Sequence, residues 1–115
     1  MKYVALFISL IFCLSFFGCA GCDGENPSVL LVNNGTGKAD IQIKTSGGNT
    51  ENINNIEPDT SSERRTFAAG DIEFTIAIQG VQDPVVYVLH AAFCNDYTVT
   101  INSDNSVTSS GEERD

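Results

Sequence analysis

Basic residues are scarce in this sequence. Its 115 residues include six Lys or Arg against fifteen Asp or Glu, which gives a formal net charge of −9. A protein that binds DNA or RNA needs a basic surface to displace counterions from the phosphates, and the one adjacent basic pair here is Arg64-Arg65. The composition therefore argues against a nucleic-acid partner. It is typical of a soluble acidic surface, and it leaves attraction to a basic protein as the alternative.

Histidine is equally scarce, and this limits the catalytic and metal-binding chemistry that the chain can perform. The sole histidine, His90, lies within the apolar run Val86 to Phe93, so we expect it to be a packed or hydrogen-bonded strand residue. A zinc site needs three or four closely arranged ligands, and no such spacing exists. The acidic turn residues do not follow the ligand pattern of a calcium loop, and neither a phosphate-binding glycine loop nor a nucleophile elbow is present. We predict a protein without catalytic residues, metal or cofactor.

Long hydrophobic runs are also missing. The longest uncharged apolar segment covers the fifteen residues from Tyr3 to Phe17, whereas a membrane-spanning helix needs about 20 apolar residues. Lys2 precedes this segment and Gly18 follows it. A basic start, a short apolar stretch and a small residue are typical of an export signal, so residues 1–18 are predicted to be a signal peptide.

Two overlapping motifs end at cysteines directly after this segment. They are Phe16-Phe17-Gly18-Cys19 and Cys19-Ala20-Gly21-Cys22. Both resemble the lipobox of bacterial lipoprotein precursors, although Phe17 replaces a small residue in the first and Cys19 replaces a large apolar residue in the second. The resemblance covers residues 1–22 only. It implies that a diacylglyceryl group is attached to the cysteine thiol, that the leader is cleaved just before it, and that the new amine is acylated.

The two motifs give two candidate lipidation sites. If Cys19 carries the lipid, Cys22 and Cys94 remain as a pair that can form a disulfide. If Cys22 carries it, Cys94 is left unpaired in a compartment where disulfides form readily. Pairing therefore favours Cys19, with Cys22 as the alternative. In enteric bacteria an aspartate after the lipidated cysteine retains the protein in the inner membrane, so Ala20 after Cys19 implies the outer membrane and Asp23 after Cys22 implies the inner one.

The remainder of the chain has the composition and periodicity of β-strands. From Val29 onward there are sixteen Val or Ile residues against three Leu and no Met. Three runs, 40–44, 72–79 and 97–102, alternate apolar and polar residues, as in strands with one buried face. Two runs, 29–32 and 85–93, are continuously apolar, and we predict that they are central strands covered on both faces. No eleven-residue window has helical periodicity.

These patterns predict an all-β protein, a small antiparallel β-sandwich or barrel of six to eight short strands. Residues 19–28 are predicted to be a lipidated tether, 29–105 the β-sandwich domain, and 106–115 a polar tail that frays. An edge strand is expected near 52–57, ended by Pro58, and residues 102–105 are expected to form a hairpin turn.

The sequence thus favours a non-enzymatic protein anchored to the cell envelope through its lipid, with a binding or structural role. In a two-membraned cell it would sit in the outer membrane, facing the periplasm or the cell surface. Its partner would be another envelope protein or a basic protein. The alternative function is an inhibitor of a cationic exported enzyme, such as a lysozyme, attracted by the acidic surface.

Overall fold

The computed structural model describes residues 22–114, which form nine strands. The predicted signal peptide, Cys19 and Asp115 lie outside the described residues. The strands are β1 Ser28–Asn33, β2 Ala39–Lys44, β3 Thr50–Ile56, β4 Thr60–Ser61, β5 Arg65–Thr66, β6 Gly70–Ile78, β7 Val85–Ala91, β8 Asn95–Ile101 and β9 Val107–Glu113. Seven of them have six residues or more, and β4 and β5 are short bridges of two residues each.

The strands form two sheets, which confirms the predicted β-sandwich. The first sheet has the order β4-β1-β8-β9, with β5 also paired to β1. The second sheet has the order β3-β2-β6-β7. One pairing departs from the antiparallel prediction, because β1 and β8 run parallel over six residue pairs from Ser28–Asp96 to Asn33–Ile101. Adjacent parallel strands need a long crossover connection, and here the second sheet, together with β4 and β5, provides it.

The core lies between the two sheets and is built from alternate residues of each long strand. In β2 and β6 the buried and exposed positions alternate as the sequence predicts. Full burial of a large aliphatic or aromatic side chain contributes about 1.5–3 kcal/mol, so this interior dominates the stability. Its largest members, each less than 2% exposed, are Phe74, Ile41, Ile43, Ile72, Ile76, Ile101, Val29 and Val99.

The prediction that residues 85–93 form a central strand is wrong. β7 is an edge strand that pairs with β6 alone in the described part of the chain. Its outward side chains Val86 and Val88 are 58% and 43% exposed. Valine has a high strand propensity on either face of a sheet, so a continuous valine-rich run does not reveal which face is covered. The other such run, β1, is central, but Leu30 and Val32 on its outer face are only partly buried.

The prediction that residues 106–115 form a fraying tail is also wrong. Val107–Glu113 forms β9, which pairs antiparallel with β8 along its whole length. Backbone hydrogen bonds hold this edge strand, and nearly all of its side chains are exposed and polar. The sequence therefore lacks the apolar pattern by which a strand is predicted. The expected turn between these strands is confirmed, with Asn105 N donating to Asn102 O at 2.8 Å. β3 is an edge strand that ends before Pro58, also as expected.

Residues 22–27, expected to belong to a tether, are instead bound to the sandwich. Glu25 O accepts a hydrogen bond from Cys94 N at 2.9 Å, and Pro27 O accepts one from Phe67 N at 3.0 Å. Pro27 is buried, and β1 begins directly after it. None of the described residues belongs to a helix long and apolar enough to cross a membrane.

Candidate functional site

Strand directions divide the loops between two ends of the sandwich. The end that we call the disulfide end contains Cys22 and Cys94, the turn 45–49 and residues 92–94. The opposite end, which we call the distal end, consists of four loops, at 34–38, 57–59, 79–84 and 102–106. The nine residues of β6 run from one end to the other, a length of about 30 Å. A ligand bound by the loops of one end is therefore well separated from the other end.

The disulfide end holds the N-terminal and C-terminal parts of the described chain together. Cys22 and Cys94 form a disulfide, the pairing expected from the sequence if Cys19 is the lipidated residue. Arg114 reinforces it: its Nη2 donates to Asn26 O at 2.6 Å, and its guanidinium lies 3.1 Å from an Asp96 carboxylate oxygen and 3.8 Å from one of Glu25. This end fixes the N-terminal segment in place.

The distal loops are organised by one buried polar side chain, Asn33. The residue is fully buried, and its Nδ2 donates to the main-chain oxygens of Gly37 at 2.9 Å and Ile56 at 2.8 Å. Its Oδ1 accepts from Gly35 N at 2.9 Å, and its main-chain oxygen accepts from Asp59 N at 2.6 Å. Buried polar groups are stable only when hydrogen-bonded, so these bonds fix the loops at 34–38 and 57–59 relative to each other.

Further contacts join the other two loops to the same cluster. Asn105 Oδ1 accepts from Thr36 N at 3.0 Å, and Asn105 Nδ2 donates to Thr36 Oγ1 at 2.9 Å. Gly37 lies so close to Gln79 that an added Cβ would be 2.3 Å from its main-chain oxygen. Since all four loops are held by such contacts, the distal end presents a preorganised surface, and preorganisation lowers the entropic cost of binding.

A shallow depression opens beside these loops on the outer face of the second sheet. It has a volume of about 360 Å³ and is lined by Lys38, Asp40, Asn55, Ala77, Ile78 and Gln79. A register shift between β2 and β3 shapes it, and there Asn55 takes a left-handed conformation and donates its N–H to Asp40 Oδ1 at 2.8 Å. The depression is open and mixed in polarity, so it can contact part of a partner surface rather than enclose a small ligand.

The distal end is acidic. Its four loops have four carboxylates and one basic residue, Lys38, which lies 3.7 Å from a Glu57 carboxylate oxygen. The pKa of Asp104 is held below its ordinary value by hydrogen bonds from the Ser106 hydroxyl and Ser106 N, at 2.6 and 3.0 Å. The four carboxylates belong to Glu57, Asp59, Asp83 and Asp104, and a fifth, Asp40, lies next to these loops on β2.

His90 lies on the outer face of β7, outside the distal end. Its side chain is 80% exposed, so it is not packed, but its Nδ1 is 2.5 Å from Asp71 Oδ1 on the neighbouring strand. A hydrogen bond to an exposed carboxylate places and orients the ring without adding a nucleophile or a cleft. Within residues 22–114, no group of three or more His, Cys, Asp or Glu side chains is arranged to hold a metal ion.

Two of the residues that shape the ends were not identified from sequence, Asn33 and Arg114. Asn33 sits in a turn-rich segment, Asn33-Asn34-Gly35, where asparagine is explained by turn chemistry alone. Its burial depends on β8 and on the end of β3, which are distant in the chain. Arg114 lies in the segment that the sequence predicts to be a tail, and only the placement of β9 brings it to Glu25 and Asp96.

The fold and the loop cluster define a small disulfide-linked β-sandwich with a preorganised acidic end. Comparison with protein-family models, with curated proteins and with solved structures finds no match for this chain.

Proposed function

We propose that this chain is a cell-envelope lipoprotein, anchored through Cys19 and carrying a non-enzymatic β-sandwich for a binding or structural role. The observation that carries the proposal is the disulfide between Cys22 and Cys94. A thiol in a disulfide cannot take a thioether-linked lipid, so of the two candidate sites Cys19 is the one left to accept it. Disulfides also persist in exported proteins and are rare in the cytosol, which supports export.

The arrangement of the two ends supports the same proposal. The anchor would join the disulfide end, while the preorganised loops would project from the opposite end toward a partner. Each buried acyl methylene contributes about 0.8 kcal/mol, so two or three acyl chains would hold the protein far longer than one. The sandwich itself would therefore need no membrane-spanning segment.

Intact-mass analysis of membrane-extracted protein tests this proposal. We expect a chain that begins at Cys19, carries diacylglyceryl and acyl groups, and contains one disulfide. Cys19→Ala should abolish both cleavage and lipid. Cys22→Ala should leave both in place and free Cys94 for alkylation. A mature mass that retains residues 1–18, or lipid attached to Cys22, would contradict the proposal.

The alternative function is an inhibitor of a cationic exported enzyme, such as a lysozyme. The acidic distal end favours it, because four carboxylates and one lysine lie there on loops already held in place. Association steered by charge weakens steeply as salt rises. The test is binding to a lysozyme at low and high ionic strength. Asp59→Asn with Asp83→Asn should weaken binding, whereas Asp23→Asn, at the disulfide end, should not. Absence of binding at low salt would remove this alternative.

A further inference from the structure

Exposed large apolar side chains follow one edge strand, β7, from the distal end of the sandwich to the disulfide end. Among the described residues they are Val81, Val86, Val88 and Phe93, all within or beside β7. Phe93 is the largest of them, is 54% exposed, and is adjacent in sequence to Cys94 at the disulfide end. Because Cys94 is bonded to Cys22, Phe93 is held close to the part of the chain that leads to the predicted lipid site.

Chain length places the disulfide end close to any lipid on Cys19. Three Cα–Cα steps separate residues 19 and 22, so these Cα atoms can be at most about 11 Å apart. The Cα atom of Cys94 is 5.9 Å from that of Cys22. Residues 22–27 provide no slack, because hydrogen bonds from Cys94 N, Phe67 N and Arg114 fasten them to the sandwich. A lipid on Cys19 would therefore hold Phe93 near the bilayer surface.

Charge at this end is partly compensated within the protein. Arg114 lies beside Glu25 and Asp96, and Arg65 lies 3.4 Å from a Glu51 carboxylate oxygen. Four of the five basic residues after residue 19 belong to the half of the sandwich nearer the disulfide: Lys44, Arg64, Arg65 and Arg114. Asp23, Glu112 and Glu113 still add negative charge there. Attraction to a bilayer would thus come from apolar contact and not from net charge.

We infer that the disulfide end docks on the lipid bilayer, with Phe93 inserted at the headgroup level, so that the sandwich stands end-on and presents its distal loops to solvent. Phenylalanine is among the side chains that protein surfaces bury at the boundary between headgroups and acyl chains when they lie on a bilayer. This inference rests on the proposed lipid anchor. It adds an orientation: the distal loops stand about 30 Å further from the membrane than Phe93.

The absence of tryptophan from the sequence allows a direct test. Full-length Phe93→Trp protein, matured in a cell that processes lipoproteins, is purified and reconstituted into phosphatidylcholine vesicles. The lipid acyl chains are brominated near the headgroup so that they quench nearby tryptophan. We expect the emission to shift to shorter wavelength and to fall by about half or more, as for an interfacial aromatic ring. The matched control is Val81→Trp in the distal loops, which should keep its intensity. Ala92→Trp is a second reporter at the disulfide end, in case Phe93→Trp disturbs folding.

Mass analysis of each sample separates the outcomes. Protein without acyl groups would overturn the proposed anchor and this inference with it. Acylated protein in which tryptophan at positions 92 and 93 is not quenched would overturn the docking of this end and leave the anchor standing. Equal quenching at positions 81 and 93 would overturn the end-on orientation.

Discussion

The amide group of Asn33 donates to the main-chain oxygen of Ile56 at 2.8 Å, across the buried space between the two sheets. Asn33 ends β1 in one sheet, and Ile56 ends β3 in the other. The same Nδ2 also reaches Gly37 O at 2.9 Å. One side chain therefore links both sheets to the loop at 34–38, and the shape of the distal end depends on this side chain.

Replacing Asn33 with alanine should destabilise the protein strongly. The change would leave the buried carbonyl groups of Gly37 and Ile56 without this donor, at a cost of about 2–4 kcal/mol in the free energy of unfolding. Chemical denaturation followed by circular dichroism measures the change. Asn34→Ala is the control, because this neighbouring side chain is exposed. A loss at Asn33 no larger than that at Asn34 would contradict the role given to it.

Gly37 and Gly47 form a matched pair for testing how closely the distal loops pack. A Cβ at position 37 would lie 2.3 Å from Gln79 O, whereas nothing lies within 4 Å of a Cβ at position 47. Gly37→Ala should therefore lower the free energy of unfolding by about 1–3 kcal/mol through steric overlap, and Gly47→Ala should not lower it. Thermal unfolding of the two variants makes the comparison. Equal melting temperatures would show that the loops at 34–38 and 79–84 are not held together as described.

The disulfide should contribute substantially to stability. Cys22 and Cys94 are 72 residues apart, and in the chain-entropy model closing a loop of this length stabilises the folded state by about 4 kcal/mol. The double variant Cys22→Ser with Cys94→Ser should unfold at a lower denaturant concentration than the oxidised protein. Reduced wild-type protein should behave like the variant. If the reduced and oxidised proteins unfold together, the bond either does not form or does not constrain the chain.

The turn between β8 and β9 should be weakened by acid. Hydrogen bonds from the Ser106 hydroxyl and N–H lower the pKa of Asp104 below its ordinary value of 3.8. A carboxyl group whose folded pKa is depressed contributes stability that is present above its unfolded pKa and is lost as pH falls through the folded one. NMR titration should thus give Asp104 a pKa below 3.8, and Ser106→Ala should raise it. An Asp104 pKa at or above 3.8 in the unsubstituted protein would contradict this prediction.

The sequence alone determines the fold class. Alternation at residues 40–44 and 72–79 requires a strand with one buried face, and the structure buries Ile41, Ile43, Ile72 and Ile76 as that pattern demands. The turn at 102–105 and the edge strand before Pro58 follow from local chemistry. Counting cysteines offers the Cys22–Cys94 pairing as one of two outcomes, the one expected if Cys19 carries the lipid, and the structure contains that pair. These features depend on residues close together in the chain or on composition, which a sequence displays directly.

Only the tertiary structure decides which strands lie at the sheet edges and which residues meet at the two ends. β7 is as apolar as a central strand yet lies at an edge, and β9 is polar yet pairs along its full length. The parallel pairing of β1 with β8 then buries Asn33 and, with β9, brings Arg114 to Glu25. A strand's neighbours come from distant parts of the chain, and backbone hydrogen bonds form regardless of side chain. Local pattern therefore predicts that a strand exists but not what it pairs with.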